Sequence, residues 1–332
     1  MNNPGQAAGA MDEFELIARY FTRRSSRDDV RLGIGDDGAI IDVPAGRSLV
    51  SVLDTLVDGV HYPVDLVPQD IGYRAVAVNL SDIAAMGAVP AWMLLGLTLP
   101  SADPDWLQGF AAGLYEAADE HGVSLVGGDT TRGAQTVITV QLSGHVDPNA
   151  WLARGGARAG DLVFVSGTLG DAAGGLEIMM DADKADNREL VARFRRPAPR
   201  VALGQGLATI ASAAIDVSDG LLADLGHVLH ASGKGAAIDF QALPLSSELL
   251  RHYGRERAVS FALGGGDDYE LCFTVPPGKQ AALYECASAL DVAVTRIGTV
   301  DDGDGLRCTD NGVPVTLDPL GFQHFAAGER LA

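Results

Sequence analysis

Five short segments of this chain place aspartate beside glycine or beside a short apolar run. They lie at residues 33–38, 79–82, 127–133, 215–220 and 264–270. Hard divalent cations and the phosphates attached to them need oxygen ligands, few steric walls and free backbone N–H groups. Aspartate next to flexible backbone offers all three. Five such segments in one chain predict a site built around metal ions and a polyphosphate.

Two of the candidate carboxylates are predicted to stand at strand ends. Asp54 ends the apolar run 48–54, and Asp129 comes just after the run 123–126. Ligands of α/β proteins usually bind outside the carboxyl ends of strands. We therefore expect Asp54 and Asp129 to face a ligand. His61, seven residues after Asp54, could contact a phosphate or simply cap the loop.

Asp216 and Asp219 flank Ser218 between a predicted strand at 213–217 and a predicted helix that starts near Gly220. The N–H groups at a helix N-terminus favour anions. A plain helix cap would use only one of the two carboxylates. Two carboxylates together with a hydroxyl indicate a place for metal and phosphate at once.

The other carboxylates allow a structural reading beside the functional one. Asp82 is predicted on the buried side of a helix, where it needs a partner such as Arg74 or a metal ion. Asp36 and Asp37 are adjacent, so on an extended segment we expect only one of them to face a given metal. An Asp-Gly turn is the alternative there. The glycines before Asp267 either leave space for a bulky ligand or form a flexible loop.

The net charge of −20, from 44 acidic and 24 basic residues, argues against a nucleic-acid partner, which needs a basic face. Mg²⁺ that bridges carboxylates to phosphate oxygens would let so acidic a chain bind phosphates. The three cysteines have no CxxC spacing, which indicates a reducing compartment. No signal peptide is evident and no apolar run approaches the ~18 residues of a membrane span. We expect a cytoplasmic protein without a membrane partner.

The pattern of predicted elements changes near residue 148. We expect residues 1–10 to be mobile, an N-terminal domain over 11–148 and a C-terminal domain over 149–332. The fold class is predicted as α+β or α/β with two domains, a mixed sheet with helices followed by a C-terminal α/β domain. Predicted helices are 12–23, 70–86, 103–122, 171–181, 187–195, 200–211, 219–231, 246–253 and 277–289. Predicted strands are 38–43, 48–54, 123–126, 136–146, 161–166, 213–217, 236–240, 269–275 and 294–300.

Taken in order, six segments resemble the thiamine-monophosphate kinase family, which belongs to the aminoimidazole ribonucleotide synthetase-like superfamily of ATP-using enzymes. The resemblance covers about residues 12–325, nearly the whole chain. The segments are GIGDDGA at 33–39, LDTLVDGVH at 53–61, NLSDIAAMGAVP at 79–90, GGDTTRG at 127–133, IDVSDGL at 215–221 and GGGDDYELCF at 264–273.

This resemblance implies transfer of the ATP γ-phosphoryl group to thiamine monophosphate, which gives thiamine diphosphate and ADP. It also implies several Mg²⁺ ions, ATP binding in the N-terminal domain, and a homodimer in which the N-terminal domains pair. The implied magnesium ligands are Asp37, Asp54, Asp82, Asp129, Asp216 and Asp219, of which Asp129 and Asp219 are the implied catalytic residues. The implied ATP-binding residues are Gly128, Asp129, Arg154 and Ser218. The implied substrate-binding residues are His61, Asp267 and Phe322, with Asp267 where the family commonly has glutamate.

Two other functions stay open at this point. The chain could be another ATP-using synthetase of the same superfamily, or a scaffold that binds ATP and Mg²⁺ without turnover. Phosphoryl transfer asks a protein for positioning and charge neutralisation more than for covalent chemistry. An ionised phosphate oxygen as the attacking group would need no strong general base, which fits a site rich in aspartate.

Overall fold

A computed structural model describes residues 12–181 and 187–315. These residues divide into two compact units, one formed by 12–79 and 90–145, the other by 80–89, 146–181 and 187–315. The domain limits of 11–148 and 149–332 remain predictions. The expected mobility of residues 1–10 lies outside the described residues.

The elements of the N-terminal half are a four-stranded sheet, a two-stranded pair and helices. The sheet has the order β3-β6-β4-β5, with β4 and β5 parallel, and β1 pairs antiparallel with β2. The strands are Val30–Leu32 (β1), Ile40–Ile41 (β2), Ser48–Val57 (β3), Val89–Leu99 (β4), Ser124–Arg132 (β5) and Val137–Val146 (β6). The helices are Glu13–Leu16 (α1), which continues as a π-helical turn over Ile17–Phe21, Pro68–Ala85 (α2) and Pro104–Glu120 (α3).

Helix α3 begins and ends where its sequence signals predict. The Asp103 carboxylate accepts the N–H groups of Asp105 at 2.9 Å and Trp106 at 3.2 Å, and Pro104 occupies the first turn, where its missing N–H costs nothing. Gly122 follows the helix with a φ of 64°, a backbone conformation that favours glycine. The predicted helix boundaries are confirmed here.

The strand pattern of this half differs from the prediction in several ways. Strand β1 was not predicted, and the predicted strand 38–43 is longer than β2, which covers only Ile40–Ile41. Strand β4 was not predicted, although most of its residues are buried. The predicted strands 48–54 and 123–126 are too short, because β3 runs to Val57 and β5 to Arg132. Asp54, predicted as the last residue of its strand, and Asp129, predicted to follow its strand, therefore both lie inside strands.

Strand β5 continues through its glycines because they allow a close approach to β4. A Cβ atom on Gly128 would lie 1.9 Å from the Leu95 carbonyl oxygen, and the φ of Gly128 is 155°. The parallel register runs from Trp92 opposite Ser124 to Leu99 opposite Arg132. The glycines thus extend the strand pairing instead of ending it.

The second unit is built on a seven-stranded sheet with the order β13-β12-β9-β11-β7-β10-β8. Five of the six neighbouring pairs are antiparallel and only β9 and β12 run parallel, so the fold is α+β with mixed sheets. The strands are Leu162–Ser166 (β7), Ala213–Asp216 (β8), Gly235–Asp239 (β9), Leu271–Val275 (β10), Val294–Asp301 (β11), Leu306–Asp310 (β12) and Val313–Val315 (β13). The helices are Asp171–Met180 (α4), Arg188–Arg195 (α5), Val201–Leu207 (α6), Leu221–Ser232 (α7), Ser247–Gly264 (α8) and Gln280–Ala289 (α9).

Strands β7 to β11 were predicted to within two residues at either end, whereas β12 and β13 were not predicted. The predicted strands of this unit are apolar runs, and β7 and β10 are buried at every position. Among the described residues, no helix has both the length and the apolar character that crossing a membrane requires.

Candidate active site

The first group of candidate residues surrounds two cavities of the N-terminal unit. The cavities measure about 530 Å³ and about 370 Å³, and both are lined by Asp36, Asp37, Gly127, Gly128 and Asp129. The smaller one is also lined by Phe14, Ile17 and Phe21 of the N-terminal helical segment. The structure therefore brings the predicted residues Asp37, Gly128 and Asp129 together.

The carboxylates of this group are open to solvent. Asp36, Asp37 and Asp129 are all exposed. The Asp36 carboxylate accepts the Asp37 N–H at 2.9 Å, which fixes the turn between them. Exposed carboxylates beside a cavity can exchange water for a cation or a ligand at little cost, because they are not desolvated beforehand.

Asp54 is held by a buried amide of helix α2. The Asp54 N–H donates to Asn79 Oδ1 at 3.1 Å, and Asn79 Nδ2 donates to the Ala75 carbonyl at 3.0 Å. Asn79 is fully buried. Asn79 therefore fixes the position of the Asp54 backbone relative to helix α2. It begins the NLSD segment, but its positioning role was not predicted.

The loop after β3 defines the tautomer of His61. Nδ1 of His61 accepts the Val57 N–H at 3.0 Å. In the neutral ring the proton therefore sits on Nε2, which makes Nε2 a hydrogen-bond donor. A donor is the form of histidine that can bind a phosphate oxygen.

The second group of candidate residues lies in the other unit, at the end of β8. Asp216 is the last residue of that strand and is 5% exposed, and its Oδ2 accepts the Ser81 hydroxyl at 2.8 Å. Ser81 is fully buried and precedes Asp82 in the chain. A serine whose role was not predicted thus joins Asp216 to the helix position just before Asp82.

The turn after β8 is fixed by a carboxylate that was not predicted either. Asp224, in the first turn of α7, is 2% exposed, and its Oδ2 accepts the N–H groups of Ser218 at 3.0 Å and Asp219 at 3.1 Å. Burial, and then the charges of Asp216 and Asp219, raise the pKa of Asp224 to about 7. Repulsion among three carboxylates is what a bound cation would relieve.

The segment before β10 pairs with the same turn. The Asp267 N–H donates to the Ser218 carbonyl at 2.8 Å, and the Tyr269 N–H donates to the Val217 carbonyl at 2.9 Å. Asp267 and Tyr269 have φ values of 61° and 51°, which are unusual for residues other than glycine. The structure therefore places Asp267 beside Ser218 and Asp219.

A buried ion-pair network anchors the end of this segment. The Glu270 carboxylate is fully buried and accepts Ser166 Oγ at 2.6 Å, Arg193 Nη2 at 2.8 Å, and Arg200 Nε and Nη2 at 2.6 Å each. Burial alone would raise the pKa of Glu270, but Arg200 and Arg193 hold it below its usual range. Glu270 is at least 70 positions away in sequence from each of these partners, so no local motif predicted the network.

Arg154 follows a residue that bonds to β8, the strand that ends at Asp216. Arg154 is exposed, and the carbonyl of its neighbour Ala153 accepts the Ala214 N–H of β8 at 2.9 Å. Phe322 lies outside the described residues. Among the described residues, no three His, Cys, Asp or Glu side chains stand close enough to form a metal site by themselves.

The sequence and the fold both have close relatives. A family model for the N-terminal domain of AIR synthase related proteins matches residues 35–146, and one for the C-terminal domain matches residues 158–311. Thiamine-monophosphate kinase of Escherichia coli (strain K12) is 49% identical over 323 residues, which are 96% of this chain and 99% of that relative.

Solved structures agree with this relationship. The crystal structure of thiamine-monophosphate kinase from Stenotrophomonas maltophilia K279a is 46% identical, with a TM-score of 0.82 over 87% of this chain and 93% of that chain. AaThiL complexed with AMPPCP and TMP is 34% identical, with a TM-score of 0.76 over 88% of this chain and 92% of that chain. This chain belongs to the thiamine-monophosphate kinase family.

Proposed function

We propose that this chain transfers the γ-phosphoryl group of ATP to thiamine monophosphate and releases thiamine diphosphate and ADP. One geometric observation carries the proposal. Backbone hydrogen bonds join the segment of Asp267, the proposed substrate residue, to the turn of Ser218 and Asp219, the proposed nucleotide and metal residues. Binding of AMPPCP, an analogue of ATP, together with TMP by the 34% identical AaThiL supports the same pairing of ligands.

The reaction needs positioning and charge control from the protein. A phosphate oxygen of thiamine monophosphate forms a bond to the γ-phosphorus, the bond from that phosphorus to the β–γ bridging oxygen breaks, and ADP leaves with the electron pair. No proton has to be removed, because the attacking oxygen is already ionised. His61 Nε2–H is suited to orient a phosphate oxygen, and Asp267 to contact the thiamine moiety.

The residues present fit magnesium as the counter-ion. We propose that several Mg²⁺ ions bind, and that Asp37, Asp54, Asp82, Asp129, Asp216 and Asp219 are their ligands. Mg²⁺ in phosphoryl-transfer sites is usually bound by one or two carboxylates, with substrate phosphates and waters completing the octahedron. A cluster of three side chains is therefore not required, and the repulsion around Asp224 favours a cation nearby. When bound, Mg²⁺ would neutralise charge on the phosphate oxygens.

We propose that ATP is bound by Gly128, Asp129, Arg154 and Ser218, and that Asp129 and Asp219 are the catalytic residues. The cavities lined by Gly128 and Asp129 support a ligand at that position. Asp129 and Asp219 would act by holding cations against the transferring phosphate. The role of Phe322 in substrate binding, the domain limits and the cytoplasmic location stay predictions.

We also propose a homodimer in which N-terminal domains 11–148 pair, each of which binds ATP and Mg²⁺. Strand β3 lies at the edge of its sheet, and Leu49 and Leu53 on its outward face are 55% and 60% exposed. Large apolar side chains exposed on one sheet face are typical of an interaction surface. We expect light scattering to give twice the chain mass of 34.5 kDa, and Leu49→Asp to give the single chain mass.

A coupled ADP-release assay with product chromatography tests the function. We expect thiamine diphosphate from ATP, Mg²⁺ and thiamine monophosphate, and no product from free thiamine or after removal of Mg²⁺ with EDTA. ADP release without thiamine diphosphate would indicate another reaction of the superfamily. Binding of ATP and Mg²⁺ without turnover would indicate a scaffold.

A further inference from the structure

Helix α7 begins without the usual cap. Its N-cap residue is Gly220, which has no side chain to accept the first amides and has a φ of 105°. A carboxylate from inside the helix, that of Asp224, instead reaches backward to the turn that precedes the helix.

The two hydrogen bonds share one oxygen atom. Asp224 Oδ2 accepts the N–H of Ser218 at 3.0 Å and that of Asp219 at 3.1 Å. The carbonyl of Ser218 accepts the Asp267 N–H at 2.8 Å. Hydrogen bonds to its backbone therefore hold the turn from both sides, one from the Asp267 amide and two from the Asp224 carboxylate.

This arrangement changes what the turn can offer a ligand. The sequence suggested that N–H groups at this helix N-terminus would favour phosphate. The amides of Ser218 and Asp219 are already accepted by Asp224, so they do not serve that purpose. What remains for the nucleotide is the Ser218 hydroxyl and the Asp219 carboxylate, whose directions are set by the turn that Asp224 holds.

We propose that Asp224 is a positioning residue for phosphoryl transfer, which fixes Ser218 and Asp219 by accepting both of their amides. The inference rests on the proposed function, because it assigns ligand contacts to those two side chains. The proposal gives Asp224 no contact with either substrate, because its carboxylate is 2% exposed and accepts the two amides.

Three variants separate positioning from general stability. Asp224→Ala removes the acceptor, whereas Asp224→Asn keeps an oxygen in the same place and so preserves both hydrogen bonds. The matched control is Asp161→Ala. Asp161 is 4% exposed in the same unit and accepts the Arg158 N–H at 3.0 Å and the Ser212 hydroxyl at 2.6 Å. If D224A does not fold, Asp224→Ser replaces it, since the shorter side chain leaves its oxygen short of the amides.

The first readout is hydrogen exchange of the Ser218 and Asp219 amides without ligand or metal. We expect faster exchange in D224A, and wild-type exchange at these two amides in D224N and D161A. The second readout is steady-state kinetics. We expect kcat to fall about 100-fold in D224A, the loss typical of misplaced groups, with recovery in D224N. The melting temperature should fall in both D224A and D161A, while D161A keeps wild-type kcat.

The proposal is overturned by wild-type exchange at both amides in D224A, or by a kcat for D224A equal to that of D161A. It is also overturned if D224N is as slow as D224A while its amides stay protected, since charge and not position would then matter. Absence of thiamine diphosphate with the wild-type protein would refute the proposed function instead. The exchange data would still decide whether Asp224 holds the turn.

Discussion

Asp129 and Asp216 are both proposed metal ligands on strands, but their surroundings are opposite. Asp129 is exposed beside two cavities, whereas Asp216 is 5% exposed and bonded to the buried Ser81. The first carboxylate keeps its water until a ligand displaces it. The second has lost most of its water already, and it needs a cation or hydrogen bonds to compensate. The comparison teaches that one chemical role can be supported by an open site and by a preformed one.

The largest expected effect is on turnover. Asp129→Asn and Asp216→Asn should each lower kcat by about 10²–10³-fold, since each removes charge that acts on the transferring phosphate. Steady-state assays at saturating ATP and Mg²⁺ measure this. Near-normal turnover in both variants would contradict the metal assignment.

The same two variants should differ in stability. Without metal, D129N should change the free energy of unfolding by less than about 0.5 kcal/mol, as exposed positions do. D216N should raise it by about 1 kcal/mol, because it relieves repulsion with Asp224. Denaturant titrations in EDTA test this. A stabilised D129N or a destabilised D216N would contradict the contrast between the exposed Asp129 and the buried Asp216.

The next effect concerns the buried ion pairs of Glu270 with Arg193 and Arg200, in the same unit as Asp216. Glu270→Gln should lower the free energy of unfolding by about 3–5 kcal/mol, because it leaves Arg193 and Arg200 without their buried partner. Glu256→Gln, at an exposed position of α8, is the control.

The pH dependence of this effect follows from the lowered pKa of Glu270. A carboxylate with a lowered pKa contributes stability above its unfolded value of 4.5 and loses it as the pH falls toward the folded value. The difference between wild type and E270Q should therefore be constant above about pH 5 and shrink in acid. A difference that grows in acid would contradict the assignment.

A smaller loss of stability is expected at Gly128, next to the exposed Asp129. Here the backbone is constrained and the carboxylate is not. Gly128→Ala should cost about 3 kcal/mol, because its Cβ would collide with the Leu95 carbonyl. Gly122→Ala is the control: its φ is also positive but its Cβ has free space, so only about 1 kcal/mol is expected. Equal losses, measured by denaturant titration, would show that β4 and β5 can separate without cost.

The last effect is on the hydroxyl that bonds to Asp216. Ser81→Ala should lower the free energy of unfolding by about 1.5–3 kcal/mol, the usual range for a hydrogen bond to a charged group. Ser247→Ala, at an exposed position, should have no measurable effect. If S81A is as stable as S247A, the Ser81 hydroxyl does not constrain Asp216. The contrast between Asp216 and the exposed Asp129 would then be weaker than described.

The sequence predicted best what depends on neighbouring residues. The boundaries of α3 follow from Asp103, Pro104 and Gly122, which act within one helical turn. The strands of the second unit follow from apolar runs of ordinary strand length. Strand β4 escaped prediction because its apolar run follows helix α2 directly and contains Pro90, which argues against a strand.

The supporting residues of the site could not be predicted because their partners are distant in sequence. Ser81 bonds to a carboxylate 135 positions away, and Ser166 to one 104 positions away. Asp224 has nearby partners, but its backward reach resembles no common capping pattern. Aspartate-glycine segments indicate where ligands could bind, and the fold decides which polar residues hold them.

The left-handed backbone at Asp267 and Tyr269 has a consequence for the thermodynamics of ligand binding. Their pairing with the turn after β8 orders the segment during folding, so a ligand that arrives later loses little conformational entropy in the protein. A change that cuts this pairing would let Tyr269 relax to ordinary backbone. Ordering of the segment would then oppose binding, and calorimetry would record a weaker affinity with a more unfavourable entropy at nearly unchanged contacts.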